Sequence, residues 1–225
     1  IAGDVYDGAD RSVRAQLRFR DGLSKLAEAG IQSFVVHGNH DPLDGWQSSI
    51  SWPEGVHIFG ATPEWKNFEK NGEIVAAIQG ISYPTREVTD NLATQFTPPE
   101  SENLFAIGLL HANVGANSAH PNYAPCTVED LSESGIDYWA LGHVHTRQTL
   151  KRAAPVIAYP GNTQGRHPNE TGARGALVVD VDASGASRSE FATLDVVRWE
   201  RGEVDISNIE TIDSLDSAII QATDN

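Results

Sequence analysis

Four apolar stretches of this chain break off into histidine, glycine or acidic residues, and that repeated punctuation limits the fold more than any bulk property. Residues 31–36 are rich in β-branched and aromatic side chains and read as a buried strand. They stop at His37, followed by Gly38-Asn39-His40-Asp41. Residues 104–110 stop at His111, and residues 138–141 stop at Gly142-His143-Val144-His145. The opening Ile1-Ala2 runs into Gly3-Asp4-Val5-Tyr6-Asp7-Gly8. In open α/β sheets, ligands bind at the carboxyl ends of strands. Each segment alone is well explained as a turn, where Asn, Asp and His hydrogen-bond locally. Their recurrence is what calls for a shared site.

The intervening residues supply the scaffold. Asp10 or Ser12 caps a helix to about Ala29, with Val13, Leu17, Leu23, Leu26 and Ala27 on its apolar side and Gly30 at its end. With the flanking strands it makes a βαβ unit. Further strands are expected at 56–59, 74–81 and 156–159, and a hairpin at 176–181 and 187–194. A short helix fits between Thr127 and Gly135, a strand 196–204 and a last helix 211–222. Residues 112–125 form a long polar loop with His120; loops of that length are usually functional or mobile. Trp46 and Trp52 read as buried packing.

The chain has 225 residues and 40% apolar content, enough for one large domain, or one domain and part of another. No apolar run approaches the ~20 residues of a membrane-spanning helix. Cys126 is the only cysteine, so no intramolecular disulfide forms, and a reducing, cytoplasmic setting is expected. Cys126 itself has no histidine partner motif and reads as inert. The net charge of −15 argues against a broad basic nucleic-acid surface. It leaves open a nucleic-acid enzyme whose local positive charge comes from metal ions.

Asp4, Asn39, His111, His143 and His145 together offer oxygen and imidazole donors without thiolate, a set that suits Mn, Fe or Zn. Asp4 and Asp7, three apart on a glycine-flanked loop, suit a hard cation. Two ions ~3.5–4 Å apart would clamp a phosphorus centre for in-line attack. No serine or cysteine nucleophile is then required.

In this order, Gly-Asp-x-x-Asp, Gly-Asn-His-Asp, a strand-terminal His111 and Gly-His-x-His resemble the motifs of the calcineurin-like metallophosphoesterases. Residues 137–145 and 159–166, with Glu170 and Gly175, resemble the SbcD-type DNA repair exonucleases and their YhaO-like branch. The resemblance implies an α/β fold, a two-sheet β-sandwich flanked by helices on both faces. It assigns residues 1–195 to that domain and 196–225 to the start of a capping domain. It also expects an opening Asp-x-His motif on an earlier strand, which this sequence does not include.

Carried over, Asp4 bridges two divalent ions, Mn first, with Fe, Zn or Mg as alternatives. Asn39, His111 and His143 complete one ion and His145 serves the other. His40 contacts the phosphate and protonates the leaving group, oriented by Asp41. Asp7 occupies a position where related nucleases carry a second catalytic histidine. Arg147, Arg166, Arg174 and His120 are candidate substrate contacts. The resemblance implies DNA ends as substrate, an SbcC-type SMC-like ATPase partner and a homodimer, with no membrane association. A phosphodiesterase or phosphatase for small phosphoesters is the competing enzyme reading, and a non-catalytic scaffold subunit of an ATPase complex is the third.

Overall fold

The computed structural model describes residues 1–46, 50–101, 104–115 and 121–223. Helix α1 spans Val13–Glu28. It is followed by strands β1 (Ser33–Val35), β2 (Val56–Ile58), β3 (Glu64–Lys70), β4 (Glu73–Ile81) and β5 (Phe105–His111). Helix α2 (Val128–Ser132) precedes β6 (Tyr138–Gly142), β7 (Gln148–Lys151) and β8 (Val156–Tyr159). The hairpin β9 (Gly175–Val181) and β10 (Ser187–Thr193) and helix α3 (Ile212–Thr223) complete the order.

The expected α/β class is borne out. A six-stranded mixed sheet runs in the order β3-β4-β5-β6-β8-β7, beside the pairs β1-β2 and β10-β9. Its central strands β4, β5, β6 and β8 are parallel, whereas β3 and β7 close the two edges antiparallel. Parallel strands lie buried on both faces and so read as continuous apolar runs, as residues 105–110 and 138–141 do. Trp139, Leu110, Leu141, Ile157 and Tyr159 anchor the larger core, and Val36, Phe59, Ile78 and Leu109 form a second cluster. Ala2 pairs in parallel with Val36. The first residues therefore extend alongside β1 and deliver Asp4 beside the Gly38–Asp41 loop.

Three expectations fail. Residues 196–204 form no strand; only Trp199 makes an isolated bridge, to Thr171. The apolar residues there stay on the surface, with Val196 92% exposed, so no sheet face is available to order them. On α1, Val13, Leu17 and Leu26 are exposed, and the buried line is Gln16 and Leu23. The helix turns that way because the Gln16 amide donates to the Arg11 carbonyl at 2.9 Å. Phe19, on the same side, packs edge-on against Tyr6 and Trp52. Trp52 thus packs as expected, but Trp46 is 53% exposed. The edge strands β3 and β7 were invisible in the sequence because they are polar and half exposed. Among the described residues, no helix is long and apolar enough to cross a membrane.

Candidate metal centre

Asp4, Asn39, His111 and His143 come from four separate elements, yet their side chains converge. One carboxylate oxygen and one nitrogen each from His111 and His143 all lie within 4.8 Å of one another. His111 Nε2 is 3.2 Å from Asp4 Oδ2 and 3.1 Å from Asn39 Oδ1. His143 Nδ1 is 3.1 Å from the same Asn39 oxygen.

The outer nitrogens fix the tautomers. His111 Nδ1 donates to the Ala2 carbonyl at 2.8 Å, and His143 Nε2 donates to the Pro121 carbonyl at 2.8 Å. Each inner nitrogen then presents a lone pair toward oxygens that also present lone pairs. Such a cluster of acceptors repels itself unless a proton or a metal cation sits among them. Carbonyl-held imidazoles, a carboxylate and an amide oxygen are an ordinary donor set for a divalent ion, and the residues present fit one. Burial would raise the Asp4 pKa, but the His111 charge and hydrogen bond, with the His40 amide, bring it down to about 2. Burial would lower the His111 pKa, and the Asp4 carboxylate outweighs it, so the net shift is upward.

The backbone is bent to make this cluster. Asp4 has φ +52° and His143 φ +97°, a region that side chains with a Cβ rarely adopt. Strain of this kind gathers at functional sites. Gly38 does not need a positive φ; it serves by lacking a Cβ, which would collide with the Asp4 carboxylate and the His111 ring. Asp41 is fully buried and accepts the amides of Gly38 at 2.7 Å, Asp4 at 3.1 Å and Val5 at 2.8 Å. Its Oδ2 is also 3.3 Å from His37 Nδ1. Asp41 therefore pins the two loops together and does not orient His40, as the sequence had suggested.

His40 sits at the edge of the cluster. Its amide donates to Asp4 Oδ1 at 2.9 Å, and its Nδ1 lies 3.1 Å from the Asp7 carbonyl oxygen, leaving Nε2 as the outward nitrogen. The Asp7 carboxylate turns away to pair with Arg166 at 2.5 Å, with both side chains well exposed. His145 lies outside the four-residue cluster. Its Nδ1 meets Glu170 Oε1 at 2.6 Å, the carboxylate–imidazole arrangement that commonly supports a metal-binding histidine. His145, Asp4 and His143 all line one cavity of about 480 Å³, together with Phe19 and Asn162.

Two arginines are not where the sequence suggested. Arg174 is buried and donates to the carbonyls of His145 and Thr171 and to Asn162 Oδ1. It braces the His145 loop and does not face substrate. Arg147 stacks on the Phe191 ring, 4.0 Å from its centroid, in a different groove. His120 falls outside the described residues. Sequence reasoning gave no role to Glu170, Arg11 or Tyr83. The buried Arg11 donates to the carbonyls of Asp41 and Pro42, locking the loop from behind. Tyr83 packs edge-on against His111, with ring centroids 5.4 Å apart.

The profile of the calcineurin-like phosphoesterase family matches residues 1–147, the segment that carries this whole cluster. The chain belongs to the calcineurin-like phosphoesterase family. The chain is 43% identical over 216 residues to the uncharacterized metallophosphoesterase YhaO of Bacillus subtilis, covering 96% of this chain and 52% of that protein. It is 26% identical to one component of the SbcCD nuclease of Bacillus subtilis, over 90% of this chain and 59% of that one. It is 28% identical to the DNA double-strand break repair protein Mre11 of Haloferax volcanii, over 95% and 46%. The chain thus spans about half the length of the curated relatives it matches.

Proposed function

We propose that this phosphoesterase is a DNA repair exonuclease or endonuclease that hydrolyses phosphodiesters at DNA ends. The convergence of Asp4, Asn39, His111 and His143 around a shared cation position carries the hydrolytic part. The choice of DNA draws on the nuclease and break-repair relatives. When bound, divalent metal supplies Lewis acidity and lowers the pKa of the attacking water. In this reading Asp4 would serve both of two divalent ions, Mn first, and His145 would serve the second, steadied by Glu170. His40 holds a proton on Nε2 for the departing oxygen, with the Asp7 carbonyl fixing its ring. Arg166, beside Asp7 at the rim, meets a non-bridging phosphate oxygen.

We also read residues 196–225 as the start of a capping domain. Homodimerisation, an SbcC-type ATPase partner and a cytoplasmic location belong to the same proposal. The net charge of −15 gives a second reading some weight, in which small phosphoesters replace DNA. Hydrolysis of linear DNA and of bis(p-nitrophenyl) phosphate, each with and without Mn, separates the cases. Metal-dependent preference for DNA is expected. Cleavage of the small ester alone would overturn the nuclease reading, and hydrolysis of neither would favour a scaffold role.

A further inference from the structure

A second groove, of about 530 Å³, lies between the sheet edge at β7 and the β9-β10 hairpin. It shares no lining residue with the cavity at the metal centre. Arg147 stands just before β7 and Arg152 just after it, and both line the groove. Between them lie Thr149, Ser187 and Ser189, and no carboxylate lines the groove among the described residues. That is unusual in a chain with 31 acidic and 16 basic residues. Several of its other cations outside the metal centre are committed: Arg20, Lys66, Arg188 and Arg198 pair with carboxylates.

The groove has a direction. Gln148 pairs with Tyr159, which sets Arg147 beside the Pro160–Asn162 turn, where the Asn162 amide donates to the His145 carbonyl at 3.2 Å. Arg152 stands at the opposite end, near Val156. The groove therefore begins next to the His145 loop and leads away from the metal centre. Five residues separate the two arginines, at most about 16 Å along the chain and less where β7 is bulged between Thr149 and Lys151, a span that suits linked phosphates of one backbone. Stacking on Phe191 holds the Arg147 guanidinium in place, so less side-chain freedom is lost on binding.

We propose that this groove tracks the phosphate backbone of a single-stranded nucleic acid leading away from the metal centre. Arg147 and Arg152 neutralise phosphates, and the hydroxyls of Thr149 and Ser187 donate to their oxygens. The direction of the strand rests on the phosphodiesterase reading above; the anion site does not.

Fluorescence anisotropy with a labelled oligothymidylate of about eight nucleotides, within the usual site size for single-strand binders, tests this in chelator. Without metal the backbone contacts are measured apart from catalysis. Arg152→Gln and the double variant with Arg147→Gln should weaken binding, the double variant by tenfold or more. Two lost phosphate contacts should flatten the slope of log K against log salt by about 1.4. Arg147→Lys, which keeps the charge, guards against misfolding at the Phe191 stack and should retain most of the affinity. Unchanged affinity in Arg152→Gln and in the double variant would overturn the groove. So would a loss of affinity with an unchanged salt slope. Normal oligothymidylate binding by a protein that cannot cut DNA with metal present would sink the nuclease reading and leave the groove standing.

Discussion

Asp4 and His143 both place a side chain with a Cβ at positive φ, and both point into the same cluster. His40 and His143 both follow strands, yet their contacts give them different work. His143 offers Nδ1 to the cluster, whereas His40 touches it through its backbone amide and keeps its ring at the edge. His143→Ala should therefore lose metal and activity together. His40→Ala should keep its metal while hydrolysis falls ~10²-fold or more, the scale of general acid catalysis. The His40 defect should shrink for nitrophenyl esters, whose leaving groups need no proton. Elemental analysis of each variant beside its rates separates the two, and metal loss in His40→Ala would make His40 a ligand. Cys126 is buried, and burial pushes its thiol up to about 12. The native protein should react with a thiol reagent at neutral pH only after denaturation; rapid reaction would show that the loop bearing it opens.

At the scale of elements, the site is the meeting of three loops, and Asp41 holds two of them. Its carboxylate satisfies the amides of Gly38, Asp4 and Val5, so Asp41→Ala strands buried donors. The cost should be about 3 kcal/mol or more, read from denaturant unfolding, with metal affinity reduced as well. An unchanged stability would mean that water replaces the carboxylate. The strands that deliver ligands were legible in the sequence because parallel strands buried on both faces are apolar throughout. The candidate ligands Asp4, Asn39, His111 and His143 stood out because each follows such a run. Partners reached through space were not. Nothing local in the sequence shows that Asp41 reaches back to residues 4 and 5, or that Arg174 folds under His145. The edge strands β3 and β7 lacked an apolar face, and the 196–204 segment had apolar residues without a sheet to cover them. Pattern reports burial only where another element supplies the other side.

For the molecule as a whole, the cluster links metal binding to folding. The site exists only when residues 1–5, the 38–41 loop, β5 and the 143–145 loop are assembled, so an ion that binds there binds the native state alone. At a hundredfold excess over its Kd, such an ion stabilises by about 2.7 kcal/mol. For a domain of this size that is roughly 5–10 °C in Tm, at ~2–4 °C per kcal/mol. His143→Ala should abolish the shift and His40→Ala should retain it. The increment should also depend on pH, with a sign set by His111. In the ion-free protein, the Asp4 carboxylate holds the His111 pKa above its ordinary 6.5. A group raised in this way contributes stability below its unfolded pKa and loses it as pH rises through the folded value. The ion-free protein therefore weakens with rising pH through that window, while a metal that must displace the His111 proton binds better. The gain in Tm on adding metal should be larger well above the ordinary histidine value than well below it. Melting curves with metal and with chelator on both sides of that value measure it. An increment that shrinks as pH rises would mean that His111 is not a ligand.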